Sequence, residues 1–333
     1  MISARGLARA AVVAAMLLLA AGAAGADTHA PWPTDWNNWS DPALWVTVGN
    51  AGNAADTHGA GYGAVSYTYN MGKFEVTAGQ YTAFLNAVAA TDTYGLYSEY
   101  MWSDTYGCKI QRTDTGSGYT YSVASDWANR PVNFVSWGDA ARFANWLTKG
   151  QPTGAQNAST TEDGSYYLNG AISSEALLAV VRKGPEQGGR YYIPTEDEWY
   201  KAAYHKNDGV TANYFDYPTA SDSAPSNLLV DPDPGNNANF IQSGYTIGSP
   251  YYRTEVAHSR TAEAPTERST RAGTSGSGMR RGHTRTCPIA ACGAGRSTTS
   301  ASTNSRGIGT SNTRRSRTTT TGSVSPRFLS RRR

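Results

Sequence analysis

The chain has 333 residues with three cysteines, and its 29 basic and 26 acidic side chains leave a net charge of +3. So few cysteines exclude a disulfide-stabilised scaffold. The net charge averages two unlike parts, because residues 27–256 hold 12 basic and 24 acidic side chains whereas residues 257–333 hold 15 and 2. All aromatic residues but one precede position 257. We therefore expect a folded domain followed by a disordered, basic Arg/Ser/Thr-rich tail.

Residues 1–26 have the pattern of a signal peptide. Arg5 and Arg9 form a basic start, residues 10–21 are apolar, and the small residues before Asp27 suit a cleavage site. The apolar run is shorter than the roughly 20 residues that a membrane span needs. The sequence thus predicts export, to the medium or the cell envelope, and no transmembrane segment in the mature chain; an uncleaved anchor helix is the alternative.

Residues 27–45 form an aromatic lead-in. Tryptophan faces can stack on sugars, but we expect these rings to pack against the domain instead. A strand is predicted to begin at Val46–Val48. The glycine-rich loop 49–63 follows, and it contains no phosphate-binding GxxxxGK motif.

The chain then repeats one unit three times: a strand followed by a capped helix. The predicted strands are 65–76, a short one from Arg130, and Tyr191–Ile193, which ends at Pro194 because proline cannot donate to a ladder. Each helix start combines an N-cap hydroxyl with a carboxylate or amide three residues later: Thr77 with Gln80, Ser136 with Asp139, and Thr195 with Glu198.

Apolar residues at helical spacing predict one buried face in each helix: Tyr81, Phe84, Leu85 and Val88; Ala140, Phe143, Ala144 and Leu147; and Trp199, Ala202 and Ala203. Residues 92–129 are rich in Tyr, Asp and Gly. We predict long loops with short strands there, with no assigned role. After His205 the chain is predicted to be loop-like.

In order and spacing, the three units resemble the formylglycine-generating enzyme family, also called the sulfatase-modifying factor domain: MGKFEVTAGQYTAFLNAV, RPVNFVSWGDAARFANWL and RYYIPTEDEWYKAAYH. The second string is similar to a family segment P-V-x-x-V-S-W-x-x-A-x-x-F-x-x-W, and the third to R-L-P-T-E-x-E-W-E-x-A-A. The resemblance spans roughly residues 46–256. It implies an α+β fold, related to C-type lectins, with low regular secondary structure. The matching residues are expected to be structural: Thr77, Gln80, Ser136, Trp137, Asp139, Pro194, Thr195, Glu198 and Trp199.

Two later signatures of the family, YGxFDxxGNVWEW and RGGSF, are absent from the sequence as written. The codons for this part of the chain can, however, be read in the frame that starts one nucleotide earlier. In that frame residues 265–281 can spell PYGAFDQGGNVWEWDEA, and residues 288–297 can spell SHRGLRGGSF. The same shift turns 322–332 into GFRVSEVPEP followed by a small residue, which resembles a domain end and the start of a PEP-CTERM sorting signal. We hypothesise that the frame is lost near Val256, which leaves the domain incomplete at its C-terminal end. The alternative is a genuine basic tail that binds nucleic acid or an acidic polymer through its charge.

The resemblance implies copper(I) chemistry. In this family a pair of cysteines five positions apart binds copper(I), which activates oxygen for the oxidation of a sulfatase cysteine. Cys287 and Cys292 have that spacing, but their surroundings do not match, and the restored frame removes Cys292. A second branch uses a histidine-rich iron site on a partner domain, which is missing here. We therefore assign no catalytic, cofactor-binding or metal-binding residue, and Cys108 is expected to be a bystander.

These observations predict an exported sulfatase-modifying-factor-like protein without oxidase activity, and leave the cofactor and the partner open. Specific nucleic-acid binding is not expected. One alternative is a secreted, surface-sorted module that binds a glycan or a peptide on the same scaffold. Another is an active formylglycine-generating oxidase that acts on exported sulfatase-like substrates. The last is an inactive product of a broken gene.

Overall fold

The structure is a computed structural model that describes residues 35–58, 61–228 and 236–256, together with three two-residue strands further along the chain. The predicted signal peptide, the start of the lead-in and most of the predicted tail, including Cys287 and Cys292, lie outside the described residues. All described residues belong to one unit, Asp35–Arg333.

Eight short strands form three antiparallel groups: β1 (Trp45–Val48), β2 (Tyr69–Gly72), β3 (Gln111–Asp114), β4 (Tyr119–Ser122), β5 (Tyr191–Tyr192), β6 (Glu263–Ala264), β7 (Glu267–Arg268) and β8 (Ser330–Arg331). The main sheet has the order β1-β2-β8-β5, and its first pair places Trp45 opposite Gly72. Strands β3 and β4 pair with each other, as do β6 and β7. The main sheet thus includes residues beyond Val256.

Six helices accompany these strands: α1 (Ala78–Val88), α2 (Tyr100–Ser103), α3 (Ser125–Ala128), α4 (Trp137–Thr148), α5 (Ser174–Leu178) and α6 (Glu196–Tyr204). Single 3₁₀ turns occur at Pro42–Leu44 and Pro185–Gln187. Helices and short antiparallel strands together confirm the α+β prediction. No helix in the described ranges has the length and apolar character that a membrane crossing needs.

All three predicted capping boxes are present, at the starts of α1, α4 and α6. In α1, for example, the Thr77 hydroxyl accepts from the Gln80 N–H at 3.1 Å, and the Gln80 side chain accepts from the Thr77 N–H at 2.9 Å. Each box satisfies two backbone donors that the helix itself leaves unpaired. The predicted positions of these helix starts are therefore confirmed.

The largest core lies between α1 and α4. The Phe84 ring packs edge-on against the Phe143 ring, and its centre lies 5.2 Å from the ring centres of both Phe143 and Trp146. Trp39 and Trp45 of the lead-in are buried in this core, and Trp39 contacts Phe143 at 5.7 Å. The lead-in therefore packs against the domain, as predicted, and does not present these two rings to solvent.

A second core lies under α6. Trp199, Ala202 and Ala203 are buried against the main sheet, where Val48 and Met71 are fully buried. This is the apolar face that the spacing predicts.

Some predicted boundaries were wrong. The strand predicted over 65–76 is limited to β2, because its partner β1 has only four residues, and the Val65 carbonyl bonds to the Gly52 N–H instead. The strand predicted from Arg130 is a single bridge between Pro131 and Thr77. The region 92–129 contains β3 and β4 as predicted, but also the short helices α2 and α3, which were not predicted.

Candidate binding surface

Glu198 acts as part of the architecture of α6. It is fully buried, receives two hydrogen bonds from the Arg182 guanidinium at 2.8 and 2.9 Å, and also accepts from the Tyr67 hydroxyl at 2.6 Å. Burial alone would raise the pKa of Glu198, but the Arg182 and Tyr67 hydrogen bonds hold that pKa below its usual value. The carboxylate therefore stays charged and paired.

The neighbouring acids of α6 do not form an acidic site with Glu198. Asp197 accepts from the Gly63 N–H at 2.8 Å, which ties the glycine-rich loop to the helix. Glu196 is exposed, and both residues add negative charge at the positive end of the helix dipole. Pro194 is buried before the cap, and Trp199 is buried behind it. Their contacts are those of a helix start, and the prediction that these positions serve only the fold stays a prediction.

Asp139 has the same role in α4. Burial raises the pKa of Asp139 to about 7, although hydrogen bonds from Ser136 oppose that rise. Trp137 packs edge-on against Tyr166 at 5.4 Å. The Asp139 carboxylate completes the cap of α4, and the Trp137 ring packs against a tyrosine outside the helix.

The described residues do not fit a copper site. Cys108 is fully buried, and burial raises the pKa of its thiol, so the thiolate that would bind a soft ion is disfavoured. Within the described ranges no group of three His, Cys, Asp or Glu side chains could hold a metal ion.

One exposed surface stands out, and we call it the aromatic face. It consists of six rings from three separate segments: Tyr100, Trp102, Tyr106, Phe134, Tyr245 and Tyr252. Four of these side chains are between 47% and 62% exposed. The ring centre of Tyr252 lies 4.8 Å from that of Tyr106 and 5.0 Å from that of Tyr245. The ring centres of Tyr100 and Phe134 are 5.8 Å apart. The face thus contains a cluster of three rings and a pair of rings, and the segment between Tyr100 and Tyr106, which also carries Trp102, connects the two along the chain.

Hydrogen bonds to backbone carbonyls fix the loop that carries Trp102 and Tyr106. Lys109 Nζ donates to the Trp102 carbonyl at 3.1 Å and to the Asp104 carbonyl at 2.7 Å. The Tyr106 carbonyl accepts from Asn133 Nδ2 and from Arg253 Nη1, each at 2.7 Å. Side-chain hydrogen bonds therefore hold both the end of α2, which carries Trp102, and the turn after it, which carries Tyr106.

Three residues at this surface have backbone conformations that side chains rarely adopt. Lys109, Phe134 and Tyr252 have φ angles of 61°, 58° and 56°. For residues other than glycine such angles cost on the order of 1–3 kcal/mol each.

The sequence did not reveal this surface. Residues 92–129 and the segment after His205 were predicted as loops without a role, and Phe134 was part of a family motif. The signal that was present is the density of tyrosine in both loops. Nothing local indicates that residues 100–106 and 245–252 meet.

The fold and these contacts define an α+β domain with little regular structure and an exposed aromatic surface. Residues 40–272 match the family described as sulfatase-modifying factor enzyme 1-like domain, and the chain belongs to this family. The match confirms the resemblance found in the three capped units. Comparisons with curated proteins and with solved structures find no match.

Proposed function

We propose that this chain is an exported, glycan-binding member of its family without oxidase activity. The observation that carries the proposal is the aromatic face, in which Lys109, Asn133 and Arg253 hydrogen-bond the segment that displays Trp102 and Tyr106.

Exposed tyrosine and tryptophan suit sugars, because each combines an apolar ring with a polar edge and loses little side-chain entropy on binding. A sugar ring likewise has apolar C–H faces and polar hydroxyl edges. The segment Trp102–Tyr106 likewise combines apolar and polar groups, since the polar residues Ser103, Asp104 and Thr105 lie between its two rings. We favour a glycan over a peptide because this loop offers polar groups between the rings instead of aliphatic side chains.

Two observations support the absence of oxidase chemistry. The Cys108 thiol is buried and its pKa is raised, so it is not activated as a nucleophile or a ligand. The sequence around Cys287 and Cys292 does not match the family's cysteine pair. Export is supported by the signal-peptide pattern of residues 1–26.

Calorimetric titration of the purified full chain with a panel of linear oligosaccharides tests the binding proposal. Trp102→Ala and Tyr106→Ala should each weaken binding at least tenfold, about 1.4 kcal/mol. Tyr167→Ala is the matched control, because Tyr167 is an exposed tyrosine outside the aromatic face. Equal affinities in all three variants, or no binding of any oligosaccharide, would overturn the proposal.

The oxidase part has its own test. The full chain is incubated with copper(I), oxygen, a thiol reductant that supplies the two further electrons needed to reduce oxygen to water, and a cysteine-containing sulfatase peptide, and the peptide mass is measured. We expect an unchanged cysteine; conversion to formylglycine would contradict the proposal.

A further inference from the structure

Resting on the proposed glycan binding, we infer that the aromatic face recognises an anionic sugar, whose acidic group binds at Lys109 above the buried Arg253. A uronic acid carboxylate and a sulfate ester share this chemistry.

Lys109 has a hydrogen-bond donor to spare beside the rings. An ammonium group has three N–H donors, and two of them go to the carbonyls of Trp102 and Asp104. In the described part of the chain no carboxylate lies within ion-pair distance of Lys109 Nζ. The Trp127 ring lies 6.0 Å away, at the limit of a cation–π contact. The third donor is therefore available to a ligand.

Arg253 places a second cation beneath the same loop, and two of the nitrogen atoms of this cation lack a hydrogen-bond acceptor in the described residues. Its side chain is only 7% exposed, and Nη1 donates to the Tyr106 carbonyl. Its Nε and Nη2 are buried and have no hydrogen-bond partner in the described residues. Buried donors of a charged group are costly when they are left unpaired. The field of this cation favours negative charge on the surface above it.

Burial lowers the pKa of Arg253, because it outweighs Cys108, Glu75 and Asp104, which favour the charged form, while Arg130 acts in the same direction as burial. Asp104 is also engaged by its own loop, because its carboxylate accepts from the Tyr106 N–H at 2.7 Å. An anionic ligand group would accept the third donor of Lys109, and charge-assisted hydrogen bonds of this kind are about twice as strong as neutral ones.

The test compares three probes on the full chain by calorimetry: a linear uronic acid oligosaccharide, the same oligosaccharide with its carboxylates reduced to alcohols, and a sulfated neutral oligosaccharide. We expect at least one anionic probe to bind tenfold or more tightly than the reduced one. The preference should shrink as the salt concentration rises. Preference for one anionic probe identifies the acidic group.

Lys109→Met should bring the ratio of the two affinities, anionic over reduced oligosaccharide, down to about one, whatever the loss of its loop hydrogen bonds does to both affinities, and Lys109→Arg should retain the ratio because the charge is kept. Lys206→Met is the matched control, since Lys206 is ion-paired with Asp222 and lies outside the aromatic face. Equal binding of anionic and reduced probes, or an unchanged preference in Lys109→Met, would overturn this inference and leave glycan binding standing. Failure of all three probes to bind would instead count against the proposed function.

Discussion

Replacing Arg182 with methionine removes the cationic partner of a fully buried carboxylate. In the native protein the Arg182 guanidinium bonds both oxygens of Glu198 and stacks 4.1 Å from the centre of the Tyr192 ring. Methionine preserves most of the apolar stem and its packing. The bonds from Tyr67 and from the Thr195 N–H also remain, so the perturbation removes the charge pair together with the contact on the Tyr192 ring.

Loss of one partner of a buried ion pair costs about 3–5 kcal/mol, because the other charge is left uncompensated. The remaining donors to Glu198 place the expected cost near the lower end, at about 3 kcal/mol. For a domain of this size that corresponds to a fall in Tm of roughly 6–12 °C. The loss is large beside a typical total stability of about 5–15 kcal/mol.

Urea unfolding followed by circular dichroism measures the effect. Because the pKa of Glu198 is lowered in the folded state, its stabilisation is present above the ordinary glutamate pKa of about 4.3 and is lost as the pH falls through the folded value. The native protein and Arg182→Met should therefore differ most near neutral pH and converge in acid. Lys206→Met is the control, since that ion pair is exposed and should contribute below about 1 kcal/mol. Equal losses in the two variants at neutral pH would refute the reasoning.

Three further predictions concern buried groups. Burial raises the pKa of Asp139 to about 7, so folding takes up a proton between the unfolded value of about 3.9 and 7. The free energy of unfolding should therefore fall as the pH rises through that window, and Asp139→Asn should flatten the slope; parallel curves would contradict this. Cys108 should resist iodoacetamide in the folded chain and react in urea, as peptide mass spectrometry can show, whereas rapid native labelling would refute its burial. Gly63→Ala would place a Cβ 2.5 Å from the Tyr214 hydroxyl. Gly52→Ala is the control, because Gly52 also has a positive φ but no atom lies within 4 Å of the added Cβ, and Gly63→Ala should lower the free energy of unfolding by about 1–3 kcal/mol more than this control does. Equal losses in the two variants would contradict the clash.

The helix starts could be predicted because capping is local. Each box joins residues three positions apart, so the pattern Thr195 to Glu198 carries its own geometry. The buried faces of α1, α4 and α6 follow from helical spacing in the same way.

The partners of these residues could not be predicted, because they depend on long-range packing. Arg182 lies on a separate segment before β5, and nothing in the spacing indicates that it meets Glu198. Gly63 is 134 positions from the Asp197 carboxylate that it bonds. The sequence alone therefore leaves open whether the three acidic residues at 196–198 form an acidic site, and only their contacts in the structure decide the question.

The frameshift near Val256 stays a prediction. Resequencing the gene across that codon tests it directly. A confirmed frame whose codons cannot spell GNVWEW would exclude the frameshift and favour the genuine basic tail. A corrected frame would restore the YGxFDxxGNVWEW and RGGSF signatures, and the binding measurements should then be repeated on the corrected chain.

The aromatic face is the central claim, and photo-crosslinking tests it most directly. A uronic acid oligosaccharide with a photoreactive group is bound to the full chain and irradiated, and the labelled peptides are identified by mass spectrometry. We predict labelling within residues 97–107 and 244–253, and competition by the unlabelled oligosaccharide. Competed labelling confined to other segments, such as the exposed surface around Tyr167, would contradict the assignment.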